Sequence, residues 1–106
     1  MCLLWLVPGL ADEDHTDQLG AIGAVLDGFH QAAASGDAQS YLGSMTKEAV
    51  FQGTDEWERW PKEPEFSAYV GSRFKDGTGW DYRPVARNIT IAPSGQVAWF
   101  DEVTYS

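Results

Sequence analysis

Residues 80–105, WDYRPVARNITIAPSGQVAWFDEVTY, predict two β-strands joined by a tight turn at Pro93-Ser94-Gly95. Proline presets φ at the second position of a type I turn, and glycine tolerates the left-handed position that follows. This combination is typical of a three-residue hairpin loop with a glycine bulge. The stretch therefore predicts a β-hairpin at the C-terminal end of the chain.

The loop length fixes the predicted register of this hairpin. If Ala92 sits opposite Gln96, the facing pairs are Ile91 and Val97, Ile89 and Trp99, Arg87 and Asp101, and Val85 and Val103. Side chains alternate between the two faces of a strand, so all of these residues would share one face. The sequence thus predicts an apolar face that carries one arginine and one aspartate, directly opposed.

Composition limits the class of protein. With 106 residues, 43% of them hydrophobic, the chain suits one globular domain with a modest core. Its net charge of -9 repels phosphate backbones and anionic membranes, so neither nucleic acid nor a membrane is an expected partner. The single cysteine, Cys2, excludes an intrachain disulfide, and no phosphate-loop, metalloprotease or nucleophile-elbow motif occurs, so no cofactor or metal is predicted.

The N-terminal residues 1–18 are interpreted as a disordered lead or the remnant of a signal-like segment. The stretch MCLLWLVPGLA is too short to span a bilayer. It ends in small residues before an acidic run, as an export signal would, but it has no basic first segment, so a cytoplasmic location is favoured. The run Asp12-Glu13-Asp14-His15 is interpreted as a solvated linker rather than a metal site.

Two helices are predicted next. From Asp17 onward, apolar residues recur at three- and four-residue steps as far as Ala33, which indicates an amphipathic helix that stops at Ser35-Gly36. Asp37 is expected to cap a second short helix, which directs Tyr41, Leu42 and Met45 toward the core. Asp27 and His30 lie three residues apart on the first helix and are interpreted as solvated rather than as ligands.

The middle of the chain predicts short strands and a third helix. Residues 49–53 are β-prone, and a loop or short edge strand carrying Trp60 follows. Pro61 and Pro64 mark the start of a helix whose stripe comprises Phe66, Tyr69, Val70 and Phe74, ending near Gly77. Helices early and long antiparallel strands late predict an α+β domain, with N-terminal helices packed on a curved antiparallel sheet.

Three segments carry a family resemblance: VLDGFHQAAASGDAQSYLGSMTKEAVFQGTDEWERW, FSAYVGSRFKDGTGWDY and PSGQVAWFDE. They resemble the SnoaL-like branch of the nuclear transport factor 2-like superfamily, which includes ketosteroid isomerase and polyketide cyclases. The resemblance implies a cystatin-like α+β cone around a pocket, and it assigns residues 19–106 to one SnoaL-like domain. No ketosteroid-isomerase catalytic Tyr or Asp aligns with a matching motif here, so no catalytic residue is carried over.

The resemblance also implies two further strands after VAWFDE, whereas this sequence ends at Thr104-Tyr105-Ser106. The domain is therefore interpreted as C-terminally truncated. A long unpaired strand edge promotes association, so a homodimer is expected.

The candidate site combines the opposed pair with aromatic side chains. Asp101 is the candidate catalytic residue, because a carboxylate among apolar neighbours suits a general base. The alternative, which we favour, is a buried Arg87–Asp101 brace that holds the hairpin. The predicted binding residues are Trp60, Trp99, Arg87 and Tyr69, whereas Glu102, on the other face with Ala98 and Phe100, is interpreted as a solvent or dimer-surface residue.

Two functions remain open at this stage. One is an acid/base lyase, isomerase or cyclase that acts on an apolar small molecule in a hydrophobic pocket. The other is a non-catalytic domain that forms a homodimer or only binds a ligand. A pocket that reaches Asp101 with a carboxylate oxygen unpaired would favour the first, and a filled interior with a bidentate Arg87 bond would favour the second.

Overall fold

The structure, a computed structural model, describes residues 8–106, with side chains from residue 15 onward. It contains helices α1 (Pro8–Ser35), α2 (Ala38–Gly43) and α3 (Ser67–Arg73), an irregular helical turn over Lys62–Phe66, and strands β1 (Val50–Gln52), β2 (Arg59–Pro61), β3 (Arg83–Ile91) and β4 (Ala98–Tyr105). The predicted α+β class is confirmed. The strands pair as two antiparallel ribbons, β1 with β2 and β3 with β4.

The chain divides into two compact units. One comprises the residues up to Leu26 together with Arg83–Ser106, and the other comprises Asp27–Tyr82. We call them the hairpin unit and the central unit.

Helix α1 begins at Pro8 rather than at Asp17. Proline is favoured in the first turn of a helix, because the N–H that it lacks would have no partner there. The sequence carries this signal at Pro8, which the prediction of a start at Asp17 did not use. The export-signal interpretation concerns residues 1–11, most of which lie outside the described residues.

The end of α1 matches the prediction. Gly36 has φ of +69°, and the amide groups of Gly36 and Asp37 donate to the carbonyls of Ala33 and Ala32 at 3.2 and 2.8 Å. These two bonds form a Schellman motif, which satisfies the last carbonyls of the helix. The Asp37 carboxylate then accepts a hydrogen bond from the Ser40 amide at 3.1 Å and caps α2, as predicted.

The core of the central unit consists of six buried residues: Ala32, Ala33, Tyr41, Phe66, Val70 and Phe74. Tyr41 is 1% exposed and stacks on Phe29 with ring centroids 4.2 Å apart. Three of these six side chains are aromatic, and they are the largest of the buried set.

The hairpin unit corrects the predicted register. Ala92 pairs with Val97 through a 2.8 Å hydrogen bond, and the amide of Gly95, whose φ is +73°, donates to the Ala92 carbonyl. The loop therefore contains four residues, including Gln96, rather than three. Beyond it Ile91 faces Ala98, and Thr90 faces Trp99.

The extra loop residue moves every β4 side chain to the opposite face, because the side-chain period of a strand is two. Arg87 consequently faces Glu102, and Asp101 faces Asn88. The predicted opposition of Arg87 and Asp101 is wrong, since the two residues lie on different faces of the hairpin. A bulge at Val85 then shifts the pairing again between Pro84 and Ala86.

The face shared by Arg87 and Glu102 is the buried one. The Arg87 Nε donates to Glu102 Oε2 at 2.6 Å, with side chains 18% and 6% exposed. Arg87 Nη1 also donates to the Gly23 carbonyl of α1 at 3.2 Å. The interpretation of Glu102 as a solvent or dimer-surface residue is therefore wrong: it holds the brace that was expected of Asp101.

Candidate functional site

The central unit contains a cavity of about 230 Å³. Its nine lining residues are mostly aromatic: Phe51, Gly53, Thr54, Glu58, Trp60, Phe66, Tyr69, Trp80 and Tyr82. They come from β1, the β1–β2 loop, β2, the helical turn, α3 and the segment before β3. We call this space the aromatic cavity.

Strand pairing places the first side chains of its wall. Phe51 of β1 lies opposite Trp60 of β2, and directly opposed residues share one face of a ribbon. Phe51 stacks on Phe66 with centroids 4.4 Å apart and planes 10° apart. The Trp60 ring lies 5.1 Å from Tyr69 of α3. These contacts hold the rings at defined angles, which gives the cavity a fixed wall.

Two core residues pack against Trp80. Its ring makes edge contacts with Phe74 and Tyr41 at centroid distances of 5.0 and 5.7 Å. Burial raises the pKa of the Tyr41 hydroxyl above its ordinary value, while the Trp80 side chain acts in the opposite direction. Tyr41 is therefore a neutral packing partner for Trp80 at physiological pH.

Glu58 is the one carboxylate of the cavity wall. The Gly53 amide donates to the Glu58 carbonyl at 2.9 Å, which closes the β1–β2 loop. A Cβ at position 53 would overlap the Glu58 carboxyl group, so glycine makes room for this side chain. None of the side-chain hydrogen bonds or ion pairs within residues 15–106 involves the Glu58 carboxylate.

Sequence reasoning missed Glu58. It lies in a polar loop, where a charged residue is ordinarily solvated. The available signal was its spacing from Trp60, because residues i and i+2 of an extended segment point to the same side. A residue two positions before an aromatic pocket candidate was thus itself a candidate.

The structure brings two of the predicted binding residues together, since Trp60 and Tyr69 both line the aromatic cavity. Trp99, Arg87 and Asp101 belong to the hairpin unit. Trp99 is 56% exposed, and Arg87 forms the ion pair with Glu102. Asp101 is exposed, and its Oδ1 accepts a hydrogen bond from Asn88 Nδ2 at 3.1 Å. The burial on which the argument for Asp101 as a base relied is absent.

The hairpin unit has a second cavity, of about 320 Å³. Its lining residues are Gln18, Ala21, Ile22, Ile91, Gly95, Gln96, Val97 and Ala98. None of these side chains is ionisable or aromatic. The aromatic cavity therefore offers the richer chemistry.

Metal sites and membrane spans were sought in the part of the chain that the structure describes. No group of three or more His, Cys, Asp or Glu residues there is arranged to hold a metal ion. No helix there has the length and apolar character needed to cross a membrane. Of the acidic run before His15, the side chains of residues 12–14 lie outside the described part.

The described elements form an α+β domain with helices followed by antiparallel strands. The family model of the SnoaL-like domain matches residues 22–105, so the chain belongs to the SnoaL-like domain family of the nuclear transport factor 2-like superfamily. The predicted resemblance is thereby confirmed. No curated protein and no solved structure matches the chain.

Proposed function

We propose that this SnoaL-like domain binds a small molecule in the aromatic cavity of the central unit. The observation that carries the proposal is one wall that combines four amphipathic aromatic rings with a carboxylate: Trp60, Tyr69, Trp80, Tyr82 and Glu58. Ligand sites are typically apolar with a few placed polar groups. This wall has that composition.

The size of the cavity limits its ligand. Sites for drug-sized molecules measure roughly 300–1,000 Å³, and this cavity has about 230 Å³. The ligand is therefore smaller than a typical drug-sized molecule. Aromatic side chains bury its apolar part, while Glu58 and the hydroxyl groups of Thr54, Tyr69 and Tyr82 supply hydrogen-bond partners that orient it.

Acid/base catalysis is the second candidate function, as a lyase, isomerase or cyclase. It is favoured by the Glu58 carboxylate, which no hydrogen bond within residues 15–106 engages, on the same wall as two tyrosine hydroxyl groups. A carboxylate base with a neutral hydroxyl donor is a usual pairing for proton abstraction next to a carbonyl. In this alternative Glu58 is the base, and the catalytic role of Asp101 stays a prediction.

Ligand binding is tested with a matched pair of aromatic variants. A panel of small cyclic alcohols, ketones and amines is screened by thermal shift, and the hits are measured by calorimetry. Tyr69→Ala removes a partly exposed ring from the cavity wall, whereas Trp57→Ala removes an exposed ring that does not line it. Because one aromatic contact contributes about 1 kcal/mol, we expect Tyr69→Ala to weaken binding about fivefold.

Trp57→Ala is expected to bind each hit as the original protein does. The proposal is contradicted if no member of the panel binds, or if both variants bind all hits with unchanged affinity.

A further inference from the structure

The wall of the aromatic cavity carries negative charge without positive charge. Glu58 is its carboxylate, and none of the nine lining residues is Lys, Arg or His. The loop segments that contribute to the wall, residues 53–58 and 80–82, also contain Asp55, Glu56 and Asp81 and no basic residue. Arg59 and Arg83 directly follow these segments, so four carboxylates stand against two guanidinium groups along them, and this balance favours a cation over an anion.

The aromatic rings of the wall suit a cation as well. The faces of Trp and Tyr carry the negative end of the ring quadrupole, and they attract ammonium groups, with Trp the strongest. In the same unit the Arg73 guanidinium carbon lies 5.9 Å from the centroid of Trp80, so this ring already makes a cation–π contact. Arg73 itself does not line the cavity.

The placement of Glu58 is the third feature of the cavity that favours a cationic ligand. Its side chain is half-buried, and Gly53 leaves the room that it occupies. A partly desolvated carboxylate is costly unless it is compensated by a hydrogen bond or an opposite charge. A cation in the cavity would supply that charge, while the rings would surround its alkyl groups.

Building on the proposed function, we infer that the ligand of the aromatic cavity is a small organic cation, a quaternary ammonium compound or a protonated amine. Trp60, Tyr69, Trp80 and Tyr82 bind its charged head through their faces, and Glu58 is the counter-ion. A neutral compound of the same shape gains the apolar contacts but not the electrostatic ones.

The test compares choline with 3,3-dimethylbutan-1-ol, in which a carbon atom replaces the charged nitrogen at the same shape. Both are titrated by calorimetry. We expect choline to bind about tenfold more tightly, because the cation–π and carboxylate contacts act on it alone.

Two glutamine variants distinguish the effect of the cavity carboxylate from the effect of the protein's net charge. Glu58→Gln is expected to reduce the preference for choline to about threefold, the part that the rings supply, whereas Glu56→Gln changes the net charge equally and is expected to keep the full preference, because Glu56 does not line the cavity. Circular dichroism checks that both variants are folded. A Glu58→Gln protein whose preference for choline is undiminished overturns the inference.

Equal or tighter binding of the neutral alcohol also overturns the inference and leaves the proposed function standing. The same conclusion follows if neither compound binds while neutral members of the cyclic panel do. If nothing binds, both fall.

Discussion

Tyr41 is a buried residue that packs against Trp80 of the cavity wall. Its ring lies among Phe29, Phe74 and Trp80, and the side chain is 1% exposed. Burial disfavours the charged phenolate, so it raises the pKa of the hydroxyl above the ordinary value of 10.0. The residue that supports Trp80 therefore stays neutral well into the alkaline range.

The raised pKa of Tyr41 predicts a pH dependence of stability. Below the ordinary pKa of 10.0 both the folded and the unfolded chain keep the proton, and the stabilisation is complete. Above it the unfolded chain loses the proton first, so the free energy of unfolding falls by about 1 kcal/mol per pH unit. Urea unfolding from about pH 8 to about pH 11 measures this slope. In Tyr41→Phe this contribution is expected to be absent, and equal slopes in the two proteins would contradict the account.

At the scale of elements, the β3–β4 hairpin predicts unequal roles for two adjacent carboxylates. Glu102 is buried against Arg87, whereas Asp101 is exposed on the other face. Glu102→Gln removes the charge with which the half-buried Arg87 guanidinium pairs at 2.6 Å and is expected to cost about 3 kcal/mol in the free energy of unfolding. Asp101→Asn is expected to cost less than about 0.5 kcal/mol, as exposed substitutions usually do.

Urea denaturation of the two variants measures this difference. A larger loss for Asp101→Asn than for Glu102→Gln would mean that the hairpin has the register in which Ala92 faces Gln96.

The hairpin also shows which elements the sequence can predict. The end of α1 at Gly36 and the cap at Asp37 follow from local chemistry, so a few adjacent residues suffice to predict them. The length of the loop after Ala92 cannot be predicted in this way. Pro93-Ser94-Gly95 suits loops of three and of four residues, and Gln96 carries no signal for either length. This ambiguity of one residue in loop length is the reason why Asp101, rather than Glu102, was predicted to face Arg87.

Only part of the candidate site could be predicted, because residue types carry a local signal whereas contacts across a loop do not. Trp60 and Tyr69 stand out as large aromatic side chains in an apolar pattern, and both line the cavity. Glu58 does not stand out in the sequence. Its role depends on the approach of Gly53 across the β1–β2 loop, and secondary-structure propensities do not encode such a contact.

At the scale of the whole molecule, the two units carry different surfaces. The central unit contains the aromatic cavity, and the outer face of the hairpin exposes more than half of Trp99 and Val103. Exposed apolar side chains on a two-stranded ribbon are common at protein–protein contacts. The homodimer stays a prediction, and these residues are where it would form.

Two classes of tryptophan therefore report on two surfaces of the molecule. Trp60 and Trp80 line the aromatic cavity, whereas Trp57 and Trp99 are exposed and lie outside its wall. Each indole N–H gives its own cross-peak in a nitrogen–proton correlation spectrum. A bound ligand shifts the peaks of the rings that it touches.

Titration of the isotope-labelled protein with the tightest-binding compound of the cyclic panel tests the location of the site most directly. The account predicts that the Trp60 and Trp80 indole peaks shift together and saturate at one affinity, while those of Trp57 and Trp99 stay in place. A shift of the Trp99 peak with Trp60 and Trp80 unmoved would contradict it.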